Sequence, residues 1–186
     1  MKNDHKKQYG FTMIEVLITV MVLSIGLLGL AALQTVGMRN TSHAYYRSQA
    51  TVLGNSFIER MRANSTAVDS GGYMNVNSAA VTCNTPPNPY CARNGGTAAQ
   101  PCDVNQLATF DIYTVSCGLV SGANELGGID DVLPNPGSSL TVTCIDADPG
   151  DGVPCTIGSN HTLTLVWNEI EDSAPVGKTL TMTFTP

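Results

Sequence analysis

From Val16 to Leu33 the chain runs eighteen residues without a charge. A run of that length and apolarity is a membrane-spanning helix candidate. Ten prolines occur in the chain and none precedes Pro86, so nothing in the first third removes a helical hydrogen bond or clashes with the preceding turn. Phe11 to Leu33 as one helix would be about 35 Å long, enough to cross a bilayer.

The helix is expected to continue beyond the apolar run. Val36, His43, Tyr46, Ala50, Leu53, Phe57 and Met61 recur mostly at three- or four-residue steps and would form one stripe. Arg39, Asn40, Arg47, Gln49 and Asn55 fall on the other sides. The spacing carries the helix to about Asn64, a rod of roughly 80 Å, with the stripe of its second half packed on a globular domain. Gly26 and Gly29 are its only evident weak points, and their spacing is not the G-x-x-x-G dimer pattern.

Past Asn64 the composition changes. All six cysteines lie there, at 83, 91, 102, 117, 144 and 155. The number is even and no pair has C-x-x-C spacing, which argues against a zinc or redox site. A domain exported past a membrane helix enters an oxidising compartment, so three disulfides and no free thiol are expected. Six cysteines allow fifteen pairings. Cys144 with Cys155 is the best single pair, because they bracket a turn-rich loop beside a strand.

Residues 65 to about 101, rich in Gly, Ser, Asn and Pro, read as a long irregular connection. Asp103 and Gln106 have capping-box spacing, and Leu107, Phe110, Thr114 and Cys117 then follow at helical intervals. Asp111 to Cys117 also alternates as a strand would, so the reading there is helix first and strand second. Further on, Leu140-Val142-Cys144, Leu163-Leu165-Trp167 and Leu180-Met182-Phe184 each alternate with mostly threonine. Three such segments between turns predict an antiparallel sheet with one buried face. The fold class is α+β, and the expected organisation is a leader 1–10, a transmembrane helix half 11–33, an amphipathic half 34–64 and a disulfide-linked domain 65–186.

Charge limits what that domain can bind. Beyond Ala63 only Arg93 and Lys178 are basic, against twelve acidic residues. Such a domain offers no footprint for a phosphate backbone, so nucleic acid is not an expected partner. His5, His43 and His161 are scattered, and nothing pairs a nucleophile with a base in an identifiable motif, so no catalytic residues are assigned and no enzymatic activity is expected. Asp146, Asp148 and Asp151, spaced by glycine and proline, weakly suggest a calcium loop. The pattern lacks the full twelve-residue loop and its terminal glutamate, and an acidic hairpin turn accounts for it as well. Otherwise no metal or cofactor is expected.

The most specific segment is the amino-terminal one. Lys2, Lys6 and Lys7 precede Gly10-Phe11-Thr12-Met13-Ile14-Glu15, and the apolar run follows at once. A secretory signal has a shorter core with small residues after it. Basic residues ahead of the span keep the leader cytoplasmic and send the remainder outward. These residues resemble the type IV prepilin family. The resemblance implies cleavage by a prepilin peptidase between Gly10 and Phe11, N-methylation of Phe11, and Glu15 at the family's acidic fifth position. An acidic side chain within a bilayer costs about 3 kcal/mol at mid-depth. The processed amino terminus of a neighbouring subunit would neutralise it and fix the axial register.

Ile58 to Asn64, with Gln106-Leu107-Ala108, Leu133-Pro134 and strands ending near Trp167, resembles the PilV group of minor pilins, also called type IV pilus modification proteins. That likeness implies a pilin fold and a role in initiating pilus assembly in a tip or priming complex. It also implies the major pilin and other minor pilins as partners. The subunit would sit first as a single-pass protein in the inner membrane with its domain in the periplasm, then in the extracellular fibre. The minor pseudopilins of type II secretion or DNA-uptake systems share the first motif and are the alternative. Retention of Glu15 implies a place within or beneath a tip complex rather than at its apex.

Overall fold

The computed structural model describes residues 10–93, 98–121, 124–134, 136–150, 152, 155–171 and 174–186. It divides into two compact units, Met1–Ser42 and His43–Pro186. Helix α1 (Met13–Ala63) contributes to both.

In the first unit α1 is unbroken through Gly26 and Gly29. Its large apolar side chains, including Ile14, Leu17, Leu23, Leu28 and Leu33, are exposed. Thr19 and Ser24 turn their hydroxyls back to the carbonyls of Val16 and Val20, at 2.8 and 2.7 Å. Those bonds satisfy the hydroxyls within the helix, as an apolar surrounding requires. Among the described residues α1 is the one helix long and apolar enough to cross a membrane.

In the second unit the rest of α1 packs on a three-stranded antiparallel sheet of β3 (Ser139–Ile145), β4 (Asn160–Glu171) and β5 (Ala174–Phe184), in the order β3-β4-β5. The register sets Val142, Leu163 and Met182 in one row and Leu140, Leu165 and Leu180 in the next. Those rows meet Ala50, Leu53, Phe57 and Met61 of α1 in one core, which also takes in Trp167 and Phe184. Gly54 lets the helix approach closely: a Cβ there would lie 2.8 Å from Met182 Sδ and 3.3 Å from Leu165 Cδ1. The stripe read from the sequence therefore holds from His43, half-buried against Glu169, to Met61. Val36, which was placed at its head, is exposed.

Between helix and sheet, α2 (Ser65–Asp69) and a single 3-10 turn at Ser78–Ala80 stand where an irregular connection was expected. Val76 accepts from the Val142 backbone N–H at 3.0 Å, and Ser78 Oγ accepts from that of Leu140 at 2.8 Å. The segment thus covers the outer edge of β3, an edge that would otherwise offer unpaired backbone groups. Helix α3 (Val104–Cys117) begins at Asp103, whose side chain accepts from the backbone N–H groups of Asn105 and Gln106 in a complete capping box. The helix reading of 111–117 is the correct one and the strand alternative is not. α3 ends at Gly118, where φ is +87°, a left-handed value that a Cβ disfavours. β1 (Gly118–Ser121) and β2 (Asn124–Gly127) follow and pair antiparallel, then the short α4 (Ile129–Val132).

Candidate functional site

Gly10 and Phe11 lie immediately ahead of α1 and both are exposed. Glu15 sits in the first turn of the helix, where its backbone N–H reaches the Thr12 carbonyl at 3.1 Å. A carboxylate in a first turn is favoured by the partial positive charge of the helix start. Its side chain is exposed, as are Met13, Ile14 and Val16 around it. The leader residues Lys2, Asp4, His5, Lys6 and Lys7 lie outside the described residues.

The six cysteines form Cys83–Cys117, Cys91–Cys102 and Cys144–Cys155. None is free. The first ties the connecting segment to the end of α3, where Tyr113 Oη also donates to the Cys83 carbonyl at 3.1 Å. The second holds the segment ahead of α3. The third closes the loop after β3. In that loop Asp146 Oδ1 accepts from the Asp148 N–H at 3.1 Å and Asp148 Oδ1 from the Gly150 N–H at 3.3 Å. Both carboxylates are thus used by the turn itself. Asp151 lies outside the described residues.

Two charged clusters escaped the sequence reading. The first joins the end of α1 to α3. Arg60 donates to Asp111 Oδ1 at 2.9 Å and to Thr114 Oγ1 at 3.0 Å. Tyr73 Oη donates to Asp111 Oδ2 at 2.7 Å, and Asn64 Nδ2 donates to the Val104 carbonyl at 2.8 Å. Asp111 is 4% exposed, so its charge is carried almost wholly by these partners. Burial, then the hydrogen bond to Asp111, push the Tyr73 phenol well above its usual range. The only signal in the sequence was the Glu59-Arg60-Met61-Arg62 string, where buried Met61 alternates with basic residues.

The second cluster joins α1 to the far end of β4. His43 Nδ1 meets Glu169 Oε2, and Trp167 Nε1 donates to Glu169 Oε1 at 2.6 Å. Lys178 donates to Glu171 Oε1 at 2.5 Å. The Lys178 hydrogen bond holds the Glu171 carboxyl below the usual carboxylate range, and the same bond raises the Lys178 ammonium. A cavity of about 300 Å³ opens here, lined also by Arg47 and Thr179.

An apolar helix that starts with an acidic turn, whose second half supplies one wall of an α+β core, is a pilin-like arrangement. Residues 32–113 match the family model of the type IV pilin Tt1218, and residues 5–31 match the prokaryotic N-terminal methylation motif. The two matches adjoin and are consistent with a type IV pilin with a prepilin motif. No curated protein and no solved structure matches the chain.

Proposed function

We propose that this protein is a type IV pilin and, within that family, a minor pilin of the PilV type, which helps to start a type IV pilus as part of a tip or priming complex. The observation that carries the pilin reading is the match to the methylation motif over residues 5–31, set on a helix whose apolar side chains are exposed from Met13 to Leu33. The minor role rests on the resemblance of residues 58–64, 106–108 and 133–134 to the PilV group. Pilins are structural subunits, and the proposed work is assembly rather than chemistry on a substrate.

In this reading a prepilin peptidase cuts after Gly10 and the new amine of Phe11 is methylated. The span 11–33 holds the subunit in the inner membrane with the His43–Pro186 unit outside, until the subunit enters the fibre. The Glu15 carboxylate then takes the terminal amine of a neighbouring subunit as its partner, since neither charge is stable alone in hydrocarbon.

Intact-mass measurement and amino-terminal sequencing of native protein test the processing. The expected terminus is N-methylated Phe11, and a bulkier residue at Gly10 should block the cut. Native fibres that retain Met1 to Gly10 would overturn the reading. Cross-linking with identification of the captured subunits separates a pilus tip complex from a secretion pseudopilus.

A further inference from the structure

We infer that His43, Glu169 and Glu171 form a binding site for a divalent transition-metal ion of the zinc type. The three residues come from α1 and β4, within the His43–Pro186 unit, and their donor atoms all lie within 4.8 Å of one another. Among the described residues they are the one group of three such side chains that converges in this way.

Each carboxylate already has one oxygen fixed from outside the cluster. Trp167 holds Oε1 of Glu169 and Lys178 holds Oε1 of Glu171. His43 Nδ1 and Glu169 Oε2 meet each other directly, and a bound ion would take the place of that contact, with a Glu171 carboxylate oxygen inside the same 4.8 Å. Ligands oriented by hydrogen bonds from a surrounding shell are the normal construction of a metal centre. An imidazole nitrogen with two carboxylates suits zinc and its neighbours, whereas calcium and magnesium take oxygen ligands alone. Three protein ligands leave a position for water or for a group from another subunit, and the adjoining cavity of about 300 Å³ gives it room.

The buried member of the group is the one that most needs compensation. The Glu169 side chain is 4% exposed, and a buried carboxylate needs a positive partner. Lys178 is engaged with Glu171. Arg47 and Lys178 also line the cavity and oppose a cation, so the ion would have to be held by its direct ligands. A bound ion would clip α1 to the end of β4.

The test uses the tag-free full-length chain in detergent, stripped with a chelator. Zinc ion alone is titrated by calorimetry, and cobalt ion is added separately for its visible spectrum. One zinc per chain is expected, with a raised thermal midpoint, because the ion binds only the folded state. His43→Ala and Glu171→Gln should each weaken binding by roughly ten-fold or more, on the scale seen for disturbed metal centres. Asp146→Asn with Asp148→Asn should leave it unchanged. Emission from Trp167, the sole tryptophan, reports whether each metal-free variant is folded. Glu171→Gln carries the test should His43→Ala misfold. Absence of saturable zinc binding overturns the inference. So does affinity unchanged from the parent protein in both ligand variants, or loss of binding in the aspartate pair. None of these outcomes bears on processing at Gly10, so the pilin reading stands or falls separately.

Discussion

Arg60 shows how much a single side chain can carry at a junction. Its guanidinium is part-exposed, yet it supplies one of the two charged or polar donors that hold the buried Asp111, Tyr73 supplying the other. Both residues fall inside the stretch that matches the type IV pilin model. Removing one partner of a buried acceptor costs more than the bond itself contributes, because the acceptor stays desolvated. Arg60→Ala should therefore lower stability by about 1–3 kcal/mol, whereas Arg62→Ala, whose partner Glu59 is exposed, should change it by under about 0.5 kcal/mol. Denaturant unfolding followed through Trp167 measures both. Equal effects for the two arginines would show that the Asp111 cluster contributes nothing beyond a surface pair.

At the scale of elements the disulfides divide the labour unequally. Cys83–Cys117 spans 34 residues and ties the connecting segment to the end of α3, while Cys91–Cys102 spans 11 within that segment. Loop-closure entropy grows slowly with loop length, giving about 4 kcal/mol for the longer crosslink and about 3 kcal/mol for the shorter. Cys117 is buried and Cys102 only half-buried, which adds a packing loss to the first. The Cys83→Ser, Cys117→Ser pair should accordingly be the more destabilising of the two, by unfolding under the same denaturant. The reverse order would mean that the connecting segment is held chiefly by its α3 contacts.

The same elements show what was legible beforehand. α1, the capped start of α3 and the three strands were readable because each is written in a local period: apolar steps of three or four, a capping box, or strict alternation. Cys144 with Cys155 was readable because both ends of a short loop announce each other. The other pairings, α2 and the 3-10 turn were not, since what fixes them is non-local. Ser78 is held by β3 across 62 residues, and Cys83 by α3 across 34. Of the candidate site, Gly10, Phe11 and Glu15 were visible as a motif. His43 appeared only as one member of a stripe, because its partners Glu169 and Glu171 lie more than a hundred residues away.

For the whole molecule, the separation of roles between the two units makes the Glu15 hypothesis testable. The core of the second unit begins at Ala50 on α1, and its disulfides begin at Cys83, so nothing in it draws on the head of the helix. Glu15→Ala should therefore leave insertion, cleavage and the folded unit intact. On the proposed reading it should fail later, when a neighbour's methylated amine finds no carboxylate at its depth. An uncompensated charge left by one half of a buried pair costs about 3–5 kcal/mol in proteins generally, and about 3 kcal/mol on insertion scales at mid-membrane. Either figure would lower the occupancy of an assembled complex by two orders of magnitude or more at fixed subunit concentration. Co-purification of other minor subunits with the variant, alongside a count of surface pili, measures it. The expected result is a correctly cut, disulfide-bonded protein that recovers few partners. Normal complex formation with normal piliation would remove Glu15 from assembly, and its carboxylate would then serve only the first turn of α1.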